Sequence, residues 1–364
     1  MSIVPSYIDR LVPYRPGKPI EELERELGIQ DAVKLASNES PLGPSPLAIE
    51  AMRAHASQVH RYPDAAGWAL RTDLAAQHGT TLDELVLGNG SNELINLICM
   101  TYASPADHAV IGMPSFVCYP LGLTMANVPF TAVPLVDHLA WDVDAMLEAV
   151  RPETRLLFLA NPNNPTGAHV GRADLERLLT SLPPRVVAVV DEAYVHFADA
   201  PDYVTALELR HLRERLIVLR TFSKAHGLAA LRVGYGIGPA PLIEYLHRTR
   251  APFNVGTLGQ VAARAAIQDQ AHVERYVELN RRERARVGAA LTDLGLEVAP
   301  SQANFVFARV EEPGAAVYER LLRRGVIVRP MPAPVENWLR ITIGLEAEND
   351  RLLAELPTVL SGDG

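Results

Sequence analysis

Residues 186–194 read VVAVVDEAY, and they give the clearest indication of the fold. Four of the first five residues are valine, whose β-branched side chain favours strands. Because no polar residue alternates with them, both faces of this strand should be buried, as in a parallel sheet covered by helices. The run ends at Asp191 and Glu192, so the strand should carry carboxylates at its carboxyl end.

Similar apolar runs recur between residues 85 and 237. Short apolar runs alternate with helical patterns from residue 85 onward, which indicates βαβ units and an α/β fold. We therefore predict a large domain over residues 31–250, built on a mostly parallel sheet with helices on both faces. The other predicted strands lie at residues 85–87, 109–111, 156–159, 216–219 and 233–237.

The final third of the chain predicts a second, smaller domain. The strand rhythm stops near residue 250, and a long helical pattern that includes residues 274–286 follows. Strand-like runs then return, so we predict an α+β domain over residues 251–364. Residues 1–30 should form an arm and a first helix, at 20–27, that pack with this smaller domain. Its predicted strands lie at residues 304–307, 326–328 and 339–343.

Composition argues against several kinds of partner. The chain has 364 residues with 34 basic and 43 acidic side chains, so no overall positive field attracts nucleic acid or anionic lipid. No run approaches the roughly 18 apolar residues of a membrane span, and the first residues lack the pattern of a signal peptide. Cys99 and Cys118 lack the spacing of a metal or redox pair, so we predict buried free thiols and no metal site. We expect a cytoplasmic protein that acts on small molecules.

The segment LRTFSKAHGLAALR, residues 219–232, places a lysine just after a buried strand. Ser223 precedes Lys224, and Arg232 follows eight residues later, so the three could bind an anion and form an imine together. A nucleophilic lysine needs a lowered pKa, which burial and neighbouring cations supply. An exposed loop lysine is the alternative, and an isolated Ser-Lys pair would favour it.

The acid at the end of the valine-rich strand could serve a cofactor. Asp191 could pair with a protonated ring nitrogen and keep the ring an electron sink. Two unit charges about 4 Å apart at an effective dielectric near 20 attract by roughly 4 kcal/mol, or about three pKa units. Tyr194 follows three residues later and could donate to a phenolic oxygen of the same ring. The alternative is an acid that only caps the next helix.

Two loops that follow predicted strands complete the pattern. LGNGSNEL, residues 87–94, is a glycine-rich turn before a helix, whose N–H groups suit a phosphate, although it matches neither GxGxxG nor a P-loop. LANPNNPTG, residues 159–167, places Asn161 where its amide could bond the same phenolic oxygen. Taken alone, the first could be a helix cap and the second a rigid turn.

These four segments, in this order, resemble the fold-type I aminotransferases that use pyridoxal 5'-phosphate (PLP), and more closely the histidinol-phosphate aminotransferase family. The resemblance covers essentially the whole chain. Each piece is weak alone, but the set is specific. The further matching pieces are YRPGKPI at residues 14–20, LASNE at 35–39, RYPD at 61–64 and LRITIG at 339–344.

The resemblance implies a role at the cofactor for each matching residue. Lys224 would carry PLP as a Schiff base and then move a proton between the substrate carbon and the cofactor carbon. Asp191 would pair with the pyridine nitrogen, while Tyr194 and Asn161 would bond the phenolic oxygen. Lys224, Asp191 and Tyr194 are thus the predicted catalytic residues. The other predicted cofactor-binding residues are Ser91, Asn92, Ser223 and Arg232 at the phosphate, Phe116 against the ring, and Tyr62 from a second subunit.

The resemblance also implies a homodimer and a substrate site, with Arg340 holding the anionic group of the substrate and Arg329, Tyr14 and Asn38 beside it. Two positions carry a residue type that differs from the one usual in the family. His226 stands where relatives usually carry an aromatic residue, and Asn92 stands where many carry aspartate. Asn92 can still offer its backbone N–H. For His226 a structural role is favoured over a catalytic one, although it could tune the surroundings of Lys224.

The predicted reaction is transamination between L-histidinol phosphate and 2-oxoglutarate, which gives imidazole acetol phosphate and L-glutamate in histidine biosynthesis. Arginine binds a phosphate or a carboxylate, so Arg340 leaves an aromatic amino-acid aminotransferase as the first alternative. A PLP-dependent decarboxylase of a phosphorylated amino acid is the second. A protein that binds the cofactor without turnover is the third, and the intact set of residues argues against it.

Overall fold

The computed structural model describes residues 3–13 and 17–362. The chain begins with short elements that lead to the main sheet. They are α1 (Ser6–Asp9), α2 (Ile20–Leu27), β1 (Val33–Lys34), α3 (Pro46–His55) and α4 (Trp68–His78). The helix predicted at residues 20–27 is confirmed as α2.

Seven strands form the main sheet, and helices connect several of them. In chain order the elements are β2 (Leu85–Asn89), α5 (Gly90–Tyr102), β3 (His108–Met113), α6 (Cys118–Met125), β4 (Phe130–Pro134), α7 (Val143–Glu148), β5 (Thr154–Ala160), α8 (Arg172–Ser181), β6 (Val187–Asp191), β7 (Leu216–Thr221), β8 (Val233–Ile237) and α9 (Ala240–Thr249). The sheet order is β2-β8-β7-β6-β5-β3-β4. Neighbours pair in parallel except at β8, which runs antiparallel to β2 and β7. The predicted mostly parallel sheet is therefore confirmed.

Both faces of the main sheet are buried. Val189 in β6 and Phe158 in β5 pack on one face, together with side chains of α5 and α6. Val190 and Leu159, one residue further along each strand, pack on the other face with α8. Burying such a side chain stabilises the fold by about 1.5–3 kcal/mol. Alternation along β6 directs Asp191, two residues after Val189, toward the face that α6 covers.

A smaller domain contains an antiparallel sheet. The remaining elements are α10 (Thr257–Gln268), α11 (Gln270–Asp293), β9 (Glu297–Ala299), β10 (Phe305–Arg309), α12 (Gly314–Arg323), β11 (Val326–Ile327), β12 (Arg329–Pro330), β13 (Trp338–Thr342) and α13 (Glu346–Leu360). The sheet order is β12-β13-β10-β9, and all neighbours in it are antiparallel. β11 lies outside this sheet and pairs in parallel with β1.

The limits of the two domains stay a prediction. α2 packs near α12 and β11, because Leu23 belongs to the same cluster as Leu322 and Ile327. α1 lies against α6 of the main sheet instead. α10 begins after residue 250 and nevertheless packs against α3 and α4. Contacts with the large domain therefore continue beyond the predicted limit.

The strands that the sequence analysis did not predict are short or half-exposed. In β4 only Val133 is buried, so its sequence FTAVP has no continuous apolar run. β1, β9 and β12 have two or three residues each, which is too short for a recognisable period. Tertiary pairing, not local sequence, forms these strands.

The two cysteines are free thiols, but only Cys99 is buried as predicted. Cys118, at the start of α6, is partly exposed. Residues 3–13 and 17–362 contain no group of three or more His, Cys, Asp or Glu side chains placed to hold a metal ion. Within the same residues, no helix combines the length and the apolar character that crossing a membrane requires.

Candidate active site

A cavity of about 430 Å³ lies where three neighbouring strands of the main sheet end. Ala160, Asp191 and Thr221 are the last residues of β5, β6 and β7, and all three line it. Ligands of open α/β sheets gather at this edge. The sequence-predicted residues that line the cavity are Asn38, Ser91, Asn92, Phe116, Asp191, Tyr194, Ser223, Lys224, Arg232, Arg329 and Arg340.

Lys224 lies three residues after the end of β7 and lines the cavity. Its Nζ donates to the carbonyl oxygen of Ser37 at 3.3 Å and lies 5.8 Å from the centroid of the Tyr194 ring. Burial lowers the pKa of Lys224 to about 8, and the Arg340 guanidinium adds to the effect. A useful fraction of the amine is therefore neutral and nucleophilic near neutral pH.

Asp191 is a buried carboxylate held by two donors. The phenol of Tyr119 donates to Oδ2 at 3.0 Å, and the N–H of Ala193 donates to Oδ1 at 3.2 Å. Burial raises the pKa of Asp191 to about 6, although the bond from Tyr119 acts in the opposite direction. A cation placed against this carboxylate would favour its ionised form and be stabilised in return.

The first turn of α5 and Arg232 form one cationic region of the cavity. α5 begins at Gly90, whose φ of +73° lies in the left-handed region. A Cβ at this position would lie 2.5 Å from Nη2 of Arg232, so glycine lets the guanidinium approach the backbone. Arg232 also donates to Oγ of Ser223 at 3.4 Å. With the N–H groups of Ser91 and Asn92 at the helix N-terminus, these groups suit an anion.

Two arginines of the smaller domain form a second cationic region. Arg329 in β12 and Arg340 in β13 pair across the two strands, and both line the cavity. Arg340 donates from Nη1 to Oδ1 of Asn164 at 2.7 Å and from Nη2 to the carbonyl of Ala36 at 2.6 Å. Its guanidinium carbon lies 5.6 Å from the centroid of the Phe305 ring. The cavity can therefore bind two anionic groups at separate places.

The likeness of the chain to known proteins identifies its family. Residues 30–356 match the family described as aminotransferase class I and II. The chain belongs to this family.

Named relatives lie close to this aminotransferase. A histidinol-phosphate aminotransferase of Nitrosococcus oceani is 44% identical over 354 residues, which cover 97% of this chain and 95% of the relative. One from Anaeromyxobacter sp. is 43% identical over 362 residues, which cover 99% of this chain and 100% of the relative. The solved histidinol-phosphate aminotransferase of Sinorhizobium meliloti, in complex with pyridoxal-5'-phosphate, superposes with a TM-score of 0.91 at 29% identity, over 100% of this chain and 99% of that one.

Three predicted residues are not among the described residues that line the cavity of this aminotransferase. Asn161 is bonded at both ends of its side chain to Val170, whose N–H donates to Oδ1 at 2.9 Å and whose carbonyl accepts from Nδ2 at 3.2 Å. Tyr62 is 82% exposed and stacks on Phe253, with 4.7 Å between ring centroids. Tyr14 lies outside the described residues. The roles of all three stay predictions.

The structure adds cavity residues that the sequence analysis did not find. Tyr119 is fully buried, lines the cavity beside Asp191 and contacts the Phe116 ring edge-on at 5.7 Å. Thr221 donates to Oγ of Ser223 at 3.0 Å. Tyr119 lies in the first turn of α6, and its bond to Asp191 joins residues 72 positions apart, so no local pattern marks it as a site residue.

His226 lies outside the described lining of the cavity. It is 6% exposed, and its ring packs 4.9 Å from that of Phe222 and 5.2 Å from that of His196, measured between centroids. Burial lowers the pKa of His226 to about 4, so the ring is neutral at physiological pH. These contacts agree with the structural role that we favoured.

Proposed function

We propose that this aminotransferase uses PLP to interconvert L-histidinol phosphate and 2-oxoglutarate with imidazole acetol phosphate and L-glutamate, a step of histidine biosynthesis. One observation carries the proposal. A single cavity holds a lysine of lowered pKa beside a buried carboxylate, and it offers two separate cationic regions. The two regions match the phosphate of the cofactor and the anionic group of a substrate.

The residues of the cavity suit PLP. Arg232 and the first turn of α5 would hold its phosphate, because the guanidinium lies close to Gly90 at the N-terminus of the helix, where free N–H groups favour an anion. Asp191 would pair with the pyridine nitrogen, and Phe116 would lie against the ring. When bound, PLP supplies an electron sink for the bonds of the substrate carbon, while the protein supplies orientation and charge.

Three residues of the chain would take part in the reaction. Lys224 would hold the cofactor, and its Nζ, as a free amine, would take and return the proton of the substrate carbon. Asp191 would keep a positive charge on the ring nitrogen. Tyr194 would donate to the phenolic oxygen. A reaction with an amino donor that leaves before the 2-oxo acid binds at the same lysine predicts ping-pong kinetics.

The second cationic region favours a phosphate over a carboxylate. A phosphate monoester carries a charge of about −1.5 to −2 near neutral pH, whereas a carboxylate carries one negative charge. Arg329 and Arg340 are neighbours across two strands, so this region carries two positive charges close together. This pairing favours histidinol phosphate over an aromatic amino acid as the donor.

We also propose a homodimer that acts in the cytoplasm. Tyr62 is exposed and stacked on Phe253, which holds its ring at the surface where a second copy could receive it. Tyr62→Phe tests the proposed contact, and this variant should bind PLP more weakly than the wild-type dimer does. Sedimentation of the wild-type protein tests the dimer itself, and a monomer would contradict the proposal.

The apo-protein should take up PLP at a rate that rises with pH through about 8 and then levels off. The neutral amine is the reacting form, and burial lowers the pKa of Lys224 below the roughly 10.4 of an exposed lysine. Stopped-flow absorbance after mixing apo-protein with PLP measures the rate. A rate that still rises toward about pH 10 would contradict a buried lysine.

Tyr119→Phe should lower kcat roughly tenfold, the effect expected for losing a hydrogen bond to a charged group. Tyr119 is the donor that lowers the pKa of Asp191, so its loss raises that pKa and moves the acid limb of the kcat profile to higher pH. Tyr102→Phe is the matched control, because its phenol donates to the carbonyl of Leu242 and not to Asp191. Identical pH profiles for the two variants would contradict the role of Tyr119.

A donor panel tests the proposed function. Protein with PLP is given 2-oxoglutarate and L-histidinol phosphate, L-phenylalanine or L-tyrosine, while L-glutamate is measured, and it is given a phosphorylated amino acid in a separate assay that measures carbon dioxide. We expect kcat/KM for L-histidinol phosphate to exceed the values for L-phenylalanine and L-tyrosine by at least about tenfold. The reason is that Arg329 adds a second positive charge that a phosphate can use. A preference for phenylalanine or tyrosine, release of carbon dioxide, or bound PLP without turnover would each replace the proposal with one of the three alternatives.

A further inference from the structure

Asn38 is a buried residue whose side-chain amide is held in one orientation by hydrogen bonds. Its backbone N–H, which can only donate, bonds Oγ1 of Thr342 at 2.9 Å. The Thr342 hydroxyl directs its own proton to Oδ1 of Asn38 at 2.9 Å. With Oδ1 engaged there, the amide nitrogen faces the other way, and Nδ2 donates to the phenol oxygen of Tyr194 at 2.9 Å.

The surroundings of Asn38 hold it in this orientation. It is 1% exposed, and its φ of +55° lies in the left-handed region that asparagine tolerates better than most residues. The side chain of Asn304 donates from Nδ2 to the carbonyl of Asn38 at 3.1 Å. The N–H of Thr342 donates to the carbonyl of Leu35 at 2.9 Å. Backbone and side chain are thus fixed together, so the amide presents a constant donor to Tyr194.

Thr342 connects these bonds to the second cationic region. It lies two residues after Arg340 in β13, on the same face of the strand. Thr342 is 3% exposed and is not among the described residues that line the active-site cavity. Tyr194 does line the cavity, with its ring centroid 5.8 Å from Nζ of Lys224. The bonds therefore join the strand that carries Arg340 to the tyrosine beside the lysine.

We propose that Thr342 and Asn38 are positioning residues that orient the hydroxyl of Tyr194 toward the phenolic oxygen of PLP, an inference that rests on the proposed function. Asn38 occupies a lone pair of the phenol oxygen, so the phenol proton points away from Asn38. Hydrogen bonds in a chain polarise one another, which makes Tyr194 a stronger donor. A stronger donor stabilises the ionised phenolic oxygen and lowers the pH at which the bound cofactor loses its proton.

Thr342→Val tests this inference, with Thr342→Ser as the matched control. Valine keeps the branched shape but removes the hydroxyl that fixes the amide of Asn38, whereas serine keeps it. Each holoenzyme is titrated with acid and base while the absorbance of the bound cofactor is followed, and the Kd for PLP is measured by equilibrium dialysis. In Thr342→Val we expect the titration midpoint to rise by about 0.5 to 1 pH unit and PLP to bind about 3- to 10-fold more weakly. Thr342→Ser should match the wild type in both.

The outcomes separate the inference from the proposed function. If the wild type binds PLP and a folded Thr342→Val variant shows the wild-type midpoint, the positioning role is overturned alone. Equal shifts in the valine and serine variants would also overturn it, because the hydroxyl would then be irrelevant. A wild type that takes up no PLP would overturn the proposed function and this role with it. Should Thr342→Val not fold, Thr342→Ala takes its place, with the same expected rise.

Discussion

Lys224→Ala is expected to lower kcat for transamination by about 10⁴-fold, the upper end of what a positioned proton-transfer group contributes. The substitution removes both the amine that holds PLP and the amine that moves the substrate proton. No other described residue that lines the cavity is a lysine, so none can take over either task. Steady-state assays of L-glutamate formation from L-histidinol phosphate measure the loss.

Two further variants sharpen this test. Lys224→Arg keeps the positive charge but offers no nucleophilic amine at neutral pH, because guanidinium stays protonated. It should be as inactive as the alanine variant. Lys18→Ala is the control, since Lys18 pairs with Glu26 and is not among the described residues that line the cavity. Full activity of Lys224→Ala would refute the enzyme mechanism, and an inactive Lys18→Ala would point to a general loss of folding.

Arg340→Lys is expected to lower kcat/KM for L-histidinol phosphate by about 10²- to 10³-fold, as when the hydrogen bonds of a buried charge contact are lost. Lysine keeps the charge but lacks the planar fork of donors that binds an oxyanion at two points. It also cannot reproduce the two bonds that Arg340 makes to Asn164 and to the carbonyl of Ala36. The Kd for PLP should stay within about twofold of the wild type, because Arg232 holds the cofactor phosphate.

The matched control for Arg340 lies in the same sheet. Arg309 is exposed at the end of β10 and pairs with Glu297 at the surface, so Arg309→Lys should leave kcat/KM unchanged. If Arg340→Lys weakened PLP binding as strongly as it reduced kcat/KM, the arginine would serve the cofactor rather than the substrate. An unchanged kcat/KM would remove Arg340 from the binding site altogether.

The main sheet could be predicted because its strands are buried on both faces. The continuous apolar run before Asp191 indicates this burial, and so do the apolar runs that form β5 and β7. β4 lies at an edge of the sheet and is half-exposed, so its sequence has no continuous apolar run. Burial was therefore readable from the sequence, even in the edge strand β2, while the pairing of a half-exposed edge strand was not.

The site could be predicted only in part, for a similar reason. Residues at the end of a strand, such as Asp191, reach the cavity through local order along the chain. The contact of Tyr119 with Asp191 spans 72 positions and depends on how α6 turns over the sheet. The bond between Asn38 and Thr342 spans 304 positions. Neither separation leaves a local pattern, so the second layer of residues behind the catalytic groups needed the fold.

The attachment of PLP to one lysine is the most direct test of the account. The sequence contains three lysines, Lys18, Lys34 and Lys224. Borohydride reduction of the purified holoenzyme makes the attachment permanent, and peptide mass spectrometry then locates the modified residue. We predict the phosphopyridoxyl group on Lys224 alone. A group on Lys18 or Lys34, or no modified lysine in protein saturated with PLP, would contradict the account.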